Sequence, residues 1–348
     1  GTYNYDHQVT VDKRVAIVGE SSNNTTINIS GQHGFLVDQI MLPQAVKFEN
    51  LHIRGSGNVS TIQTRNSRVL IKDTKITNSL GHGLFISGGQ VEVKNNLFYG
   101  IALHSIFVAK APLVPPSPMT QVIIFNNIIT ASHQTGLFIQ NNDPNTIITV
   151  ARNLFADNRI GALHTLANTP QNGRNTASLF SFNNTFVGNQ GPVIGADDGS
   201  SFNKNNIYAF NDGPDMEPNG LQLGMQQREY NLTFGNTPDN LRFDPNTLNA
   251  DPKFPATDNG VSSGLTENTL TDALKDWPVD SLRGKFLIAN EFKNVYYISG
   301  NTSNTITILV NHPDHELTDM TAVGQPYMII DGFVLAPDSP AINTGTPA

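Results

Sequence analysis

The hydrophobic pattern of the chain is easiest to read in Gly81-His82-Gly83-Leu84-Phe85-Ile86-Ser87-Gly88-Gly89-Gln90-Val91-Glu92-Val93-Lys94-Asn95-Asn96. Leu84-Phe85-Ile86 is too short for a helix and lies between glycines that mark turns, while Val91 and Val93 alternate with Glu92 and Lys94. Both runs predict strands, separated by a turn and closed by an asparagine pair. Strand alternation sends Leu84 and Ile86 to one side and Phe85 to the other.

Relatives of this unit recur along the chain. Anchored on the second asparagine of the pair, a polar residue followed by an apolar residue or threonine returns at Asn50, Asp73, Asn96, Asn127, Asn153, Asn184, Asn206 and Asn231, with spacings of 23, 23, 31, 26, 31, 22 and 25. A bare repeat of 22 to 23 residues suits one coil of a three-sided β-solenoid, with three strands and three turns. The doubled asparagine leaves the register open by one residue. From each anchor to the centre of the next apolar run (Ile62, Phe85, Phe107, Phe138, His164, Ile194) the distance stays between 10 and 12 residues, whereas the rest of the coil varies from 11 to 20. The extra length therefore leaves from one corner, as loops at 110–120, 141–145 and 167–176 in three consecutive coils. Insertions gathered on one face of a solenoid commonly mark its binding face. The asparagine column itself is expected to be structural, each buried amide bonding the turn backbone and its copies above and below.

Alternation assigns Phe35, Leu84, Ile106, Leu137, Leu163 and Val193, together with Val37, Ile86, Val108, Ile139 and Thr165, to the interior. Phe85, Phe107, Phe138 and His164 then face outward at about 4.8 Å per coil, beside the loops. They form either an exposed aromatic surface suited to sugar rings or a stack covered by the loops. His33, His82 and His104 precede this strand at matching register, with His133 two positions early. Such a column is either a turn ladder or a set of imidazole metal ligands.

Composition narrows the classes of function. With 348 residues, 38% of them hydrophobic and 14% charged, the chain can bury a real core. The excess of 29 carboxylates over 21 Lys and Arg, net −8, argues against a nucleic-acid or anionic-membrane surface, and favours a neutral glycan or an anionic one bridged by a cation. Cysteine is absent, which removes thiolate chemistry and disulfides. No run of 18 apolar residues predicts a membrane span. The opening Gly1-Thr2-Tyr3-Asn4 reads as a mature product or a piece of a longer surface protein. Asn-Xaa-Ser/Thr sequons carry little weight in so Asn- and Thr-rich a chain.

The pattern Gly-Leu-Phe-Ile-Ser-Gly-Gly followed by Val-Lys-Asn-Asn-Leu-Phe resembles the repeats of right-handed parallel β-helix proteins, the superfold of pectate lyases, polygalacturonases and many bacterial surface proteins. The resemblance implies an all-β, three-sided parallel β-helix of about eight to ten coils over residues 1–254. Asp251-Pro252-Lys253-Phe254 and Gly332-Phe333-Val334-Leu335-Ala336-Pro337 resemble the closing segment of large secreted or cell-surface bacterial β-helix proteins, in which the two pieces normally lie close together. Between them, residues 255–330 carry strand patterns at 285–289, 295–299, 305–310 and 327–330, and predict an inserted small β-rich module with a barrel-like look. Residues 331–348 are then the return to the β-helix. A secreted or cell-surface location follows from the same resemblance.

Gly81-His82-Gly83 also resembles an element of polygalacturonase-type glycoside hydrolases, but the preceding coil offers Gln63-Thr64-Arg65-Asn66 in place of the aspartates that such chemistry needs. A β-elimination lyase would need a base near a group that neutralises a uronate carboxylate. His164, Lys110 and Arg159 are the catalytic candidates, and Phe85, Phe107, Phe138, Gln140 and Arg174 the substrate-binding ones. Asp197 and Asp198, flanked by glycine, are candidate Ca²⁺ ligands, with a second acidic group at Asp212, Asp215 and Glu217. The leading expectation is a polysaccharide-binding β-helix that could cleave its ligand as a lyase or, less readily, a glycoside hydrolase. The rival is a non-catalytic structural or adhesive surface protein.

Overall fold

The computed structural model describes residues 1–31, 33–40, 45–55, 59–109, 119–140, 143, 145–165, 177–191, 193–196, 200–212, 216–217, 226–236, 246–289, 294–308 and 316–342. Short strands stack in parallel, coil upon coil, into three faces. The first face is an eleven-stranded parallel sheet running from Thr2–Tyr5 through Lys75–Ser79, Leu97–Ile101 and Ile128–Ser132 to Leu248–Asn249. The second and third faces share a sixteen-stranded sheet, because two 13-residue strands, Ser60–Lys72 and His82–Lys94, bend around the corner between them. In the next coils that bend opens: Ile106–Ala109 is separated from Gln121–Phe125, Thr135–Gln140 from Ile147–Ala151, and Gly161–Thr165 from Ser178–Phe182. The length variation in the sequence thus sits at the one corner expected.

The core follows from alternation. Phe35, Ile62, Leu84, Ile106, Leu137 and Leu163 form one inward column in register, and none is more than 4% exposed. Ile27, Ile53, Ile76, Phe98, Ile129, Phe155, Phe186 and Tyr208 face them from the first sheet. Two run centres shift by one residue from the expectation. Ile62 pairs with Leu84 and is buried, leaving Gln63 opposite Phe85, and Ile194 pairs with Leu163, leaving Gly195 opposite His164. Val193 is buried but lies outside that column. A one-residue slip exchanges inside for outside, so the volume of the core sets the register where the apolar run itself is ambiguous.

The asparagine column carries the same correction. The N–H of Thr74 donates to Asn96 Oδ1 (2.9 Å), and the same bond links Asn96 to Asn127, Asn127 to Asn153, Asn153 to Asn184, Asn184 to Asn206 and Asn206 to Asn231. Asn50 and Asp73 belong one position earlier, in a column of left-handed residues with Asn95, Asn126, Arg152, Asn183 and Asn205 (φ 50° to 57°). The turn needs that conformation at one residue and a buried amide at the next, and asparagine suits both. A second ladder, absent from the sequence reading, runs Ser132, Asn158, Asn189, Asn211, Asn236 at the far end of the first face.

Beyond the last coils, seven antiparallel strands form a separate sheet, in the order Ala256–Val261, Pro326–Ile330, Phe286–Ala289, Asn294–Asn301, Thr305–Ile308, Thr269–Thr271, Gly264–Leu265. Leu287, Tyr296, Ile298, Ile306 and Ile329 give it a core of its own. Its other side, through Phe286, Ile288 and Val295, packs with Ala156, Val187 and Ala209 on the outside of the first face. The two closing pieces meet across the intervening sheet residues: Phe254 and Phe333 rings lie edge to face at 5.0 Å, Ala336 N–H donates to Lys253 O, and Lys253 Nζ reaches Asp338 at 2.6 Å. Helix is confined to the single turn Leu317–Met320 among the described residues, and no helix there is long and apolar enough to cross a membrane.

Candidate functional site

The second face carries the aromatic strip. Phe85, Phe107, Phe138 and His164 are in register on adjacent coils, all half-buried, with Leu84 and Ile86 and their equivalents turned into the core. The rings do not stack as one file. Phe85 and Phe107 meet edge to face (5.0 Å, 83°), Phe107 and Phe138 are tilted (5.3 Å, 54°), and His164 stands edge-on to Phe138 (5.4 Å, 85°). The parallel stack runs diagonally instead: His82 on His104 at 5.3 Å and 8°, then His104 on Phe138 at 4.3 Å and 7°. The sequence reading kept the histidine and phenylalanine columns apart. The structure merges them into one tiled surface, because each histidine ring fills the space between two phenylalanines.

The two histidines are a turn ladder. His104 N–H donates to His82 Nδ1 (3.4 Å) and Thr135 N–H to His104 Nδ1 (3.3 Å), so the ring proton of each sits on Nε2. Thr135 holds the position at which His133 arrives two residues early. Burial pushes His82 down to about 4. It pushes His104 down to about 3, helped by the positive charge that His82 and His164 would carry. Both rings are therefore neutral at neutral pH and serve as aromatic surface rather than as cations.

Of the remaining candidates, Gln140 and Arg159 lie among the described residues. Gln140 is half-buried, two residues beyond Phe138 on the outward side of the strand. Arg159 is exposed at the corner before the His164 strand, its N–H donating to Ser132 O. Lys110, Arg174, Asp197 and Asp198 lie outside the described residues, as do most of the three long loops. Asp215 lies outside them too. Among the described residues, no group of three His, Asp or Glu side chains is placed to hold a metal ion.

A pocket elsewhere was not foreseen. Where the C-terminal sheet meets the first face, a pocket of about 290 Å³ is lined by His52, Lys75, Tyr99, Arg283 and Tyr297 among others. No motif points to it, since its two walls lie some 200 residues apart in the chain.

Residues 11–148 match the family described as right handed beta helix region. The fold is a right-handed parallel β-helix. No curated protein matches the chain. Among solved structures, the β-helix is similar to Geobacillus virus E2 ORF18, at 12% identity over 93% of this chain and 69% of that one, with a TM-score of 0.38. It is also similar to the Dettilon tailspike protein (gp208), at 11% identity over 94% of this chain and 86% of that one, with a TM-score of 0.22. At these scores nothing is transferred from either protein to this β-helix.

Proposed function

We propose that this protein is a carbohydrate-binding β-helix that lays a glycan along the strip of His82, Phe85, His104, Phe107, Phe138 and His164. The observation that carries the reading is the strip itself: six rings on consecutive coils, 4.3 to 5.8 Å from their neighbours and half-buried. Aromatic faces pack against the C–H faces of sugar rings, and two neutral imidazoles keep the surface aromatic without adding charge. The net charge of −8 fits a neutral polymer better than a polyanion over most of the surface. A secreted or cell-surface location belongs to the same reading, since polymeric glycans are met there. The proposal stops at binding. His164 enters it as a ring of the strip, edge-on to Phe138.

The test is binding to a glycan panel by wild-type protein and by the Phe107→Ala/Phe138→Ala variant. Losing two stacking rings is expected to weaken affinity at least about tenfold, roughly 1.4 kcal/mol or more. Both side chains face outward, so the variant keeps its fold, which thermal melting verifies. Unchanged binding overturns the proposal. A second reading, a rigid structural or adhesive surface element, is favoured by the two asparagine ladders. Assembly in solution without binding to any glycan would support it.

A further inference from the structure

The outside of the first face changes character along its length. Its early coils present His52, Arg54, Lys75 and Thr77, and its middle coils present Leu97, Tyr99, Ile128, Leu154 and Ala156. The C-terminal sheet covers the apolar part, with Tyr297 against Tyr99 at 5.5 Å, and stops where the polar part begins. The pocket sits on this boundary, and its cations come from both walls: Lys75 from the β-helix and Arg283 from the C-terminal sheet.

These cations are poorly compensated. Lys75 Nζ donates to the neutral Asn23 Oδ1 at 2.6 Å. Burial, and then the charge of Arg283, holds its pKa below the usual lysine range. Arg283 Nε donates to Ser299 O at 2.8 Å, and its only carboxylate contact among the described residues is Asp280, at 3.6 Å and half in water. His52 Nε2 lies 2.9 Å from Thr77 Oγ1, and burial with the charges of Lys75 and Arg54 holds it down at about 4. No carboxylate lines the pocket among the described residues. Two cations lining one pocket, with a single half-exposed carboxylate outside it, are unfavourable unless something negative enters between them.

We infer that this pocket is an anion site that takes one oxyanion group, carboxylate, sulfate or phosphate, with about one sugar-sized unit of its ligand inside it. The charge requirement comes from Lys75 and Arg283, which can both donate to one oxyanion. The size of the part that enters comes from the volume, at the low end for small-molecule sites. Tyr297 and Leu97 supply apolar wall for the body of the ligand. The site is separate from the aromatic strip and does not depend on the glycan reading.

The experiment is calorimetric titration of the full chain with inorganic sulfate, inorganic phosphate, galacturonate and neutral galactose, at low and high NaCl. At least one oxyanion is expected to bind with one site per chain, more weakly as salt rises, and galactose is expected not to bind. Binding by galacturonate alone assigns the site to an acidic sugar, and binding by the inorganic ions assigns it to the oxyanion itself. Lys75→Met and Arg283→Gln should each weaken binding about tenfold or more. Arg283 is exposed, so its variant keeps the fold even if Lys75→Met does not. If no oxyanion binds, or if binding is unchanged in a folded variant, the inference fails.

Discussion

Replacing Asn153 by alanine, and separately its neighbour Arg152 by glycine, tests the ladder at single-residue resolution. Asn153 is 2% exposed. Its Oδ1 accepts from the backbone N–H and from Nδ2 of Asn127, both at 2.9 Å, and its Nδ2 donates to Ile124 O, Ala151 O and Asn184 Oδ1. Alanine keeps the backbone bond from residue 153 to Asn184. It leaves the Asn127 N–H without an acceptor and removes the side-chain donor to Ile124 O, while Asn127 Nδ2 retains Val93 O. One buried N–H orphaned at about 1–3 kcal/mol, with the lost second bond to Ile124 O, which keeps its place in the ladder with the next coil, and a small cavity added, gives a loss of about 2–4 kcal/mol. Arg152 is exposed in the left-handed region at φ 57°, with its guanidinium 5.6 Å from the Phe125 ring centroid. Glycine there relieves about 1–2 kcal/mol of backbone strain, against about 1–2 kcal/mol for the lost cation–π contact and the freer unfolded chain, so stability stays within about 1 kcal/mol of wild type. Urea denaturation of both variants measures the contrast. A loss below about 1 kcal/mol for Asn153→Ala would refute the argument that the ladder holds the coils together.

Acidification should destabilise the second face. His82 and His104 are held at about 4 and about 3 when folded, against 6.5, so between pH 6.5 and 4 the unfolded chain takes up protons that the folded one refuses. Stability is then lost as pH falls through that window, by at most about 1.4 kcal/mol per pH unit for each ring, and His52 adds a loss of the same sign. His82→Gln/His104→Gln should flatten the fall in denaturation midpoint over this range, and an unchanged slope would count against the ladder. At the docking surface, a Cβ on Gly188 would lie 2.6 Å from Val295 Cγ2, at φ +59°. Gly188→Ala should cost about 1–3 kcal/mol, and Val295→Ala in the same chain should recover part of it, whereas a cost independent of residue 295 would mean the strain is local to the turn.

The repeat was legible because each coil writes the same local rules: two-residue alternation in Leu84-Phe85-Ile86, a left-handed turn residue, a buried amide after it, and spare length at one corner. These rules place Phe85, Phe107, Phe138 and His164 outside and their neighbours inside with no knowledge of anything distant in the chain. They leave parity ambiguous where neighbours are alike, which is why Asn50, Asp73, Ile62 and Ile194 each moved by one residue once the core had to close around them. The second ladder from Asn158 to Asn236 escaped notice because single asparagines in an Asn-rich chain do not stand out, and only the bonds between coils distinguish them. Ring tiling and the anion pocket depend on more than local rules. His104 reaches Phe138 because adjacent coils bring them together, and Lys75 meets Arg283 only after the C-terminal sheet has docked on the first face. Periodicity and alternation are local, so the amino-acid sequence alone determined the β-helix and its outward strip. The meeting of surfaces some 200 residues apart depends on shape and buried area across the whole fold, so only the tertiary structure decided the pocket.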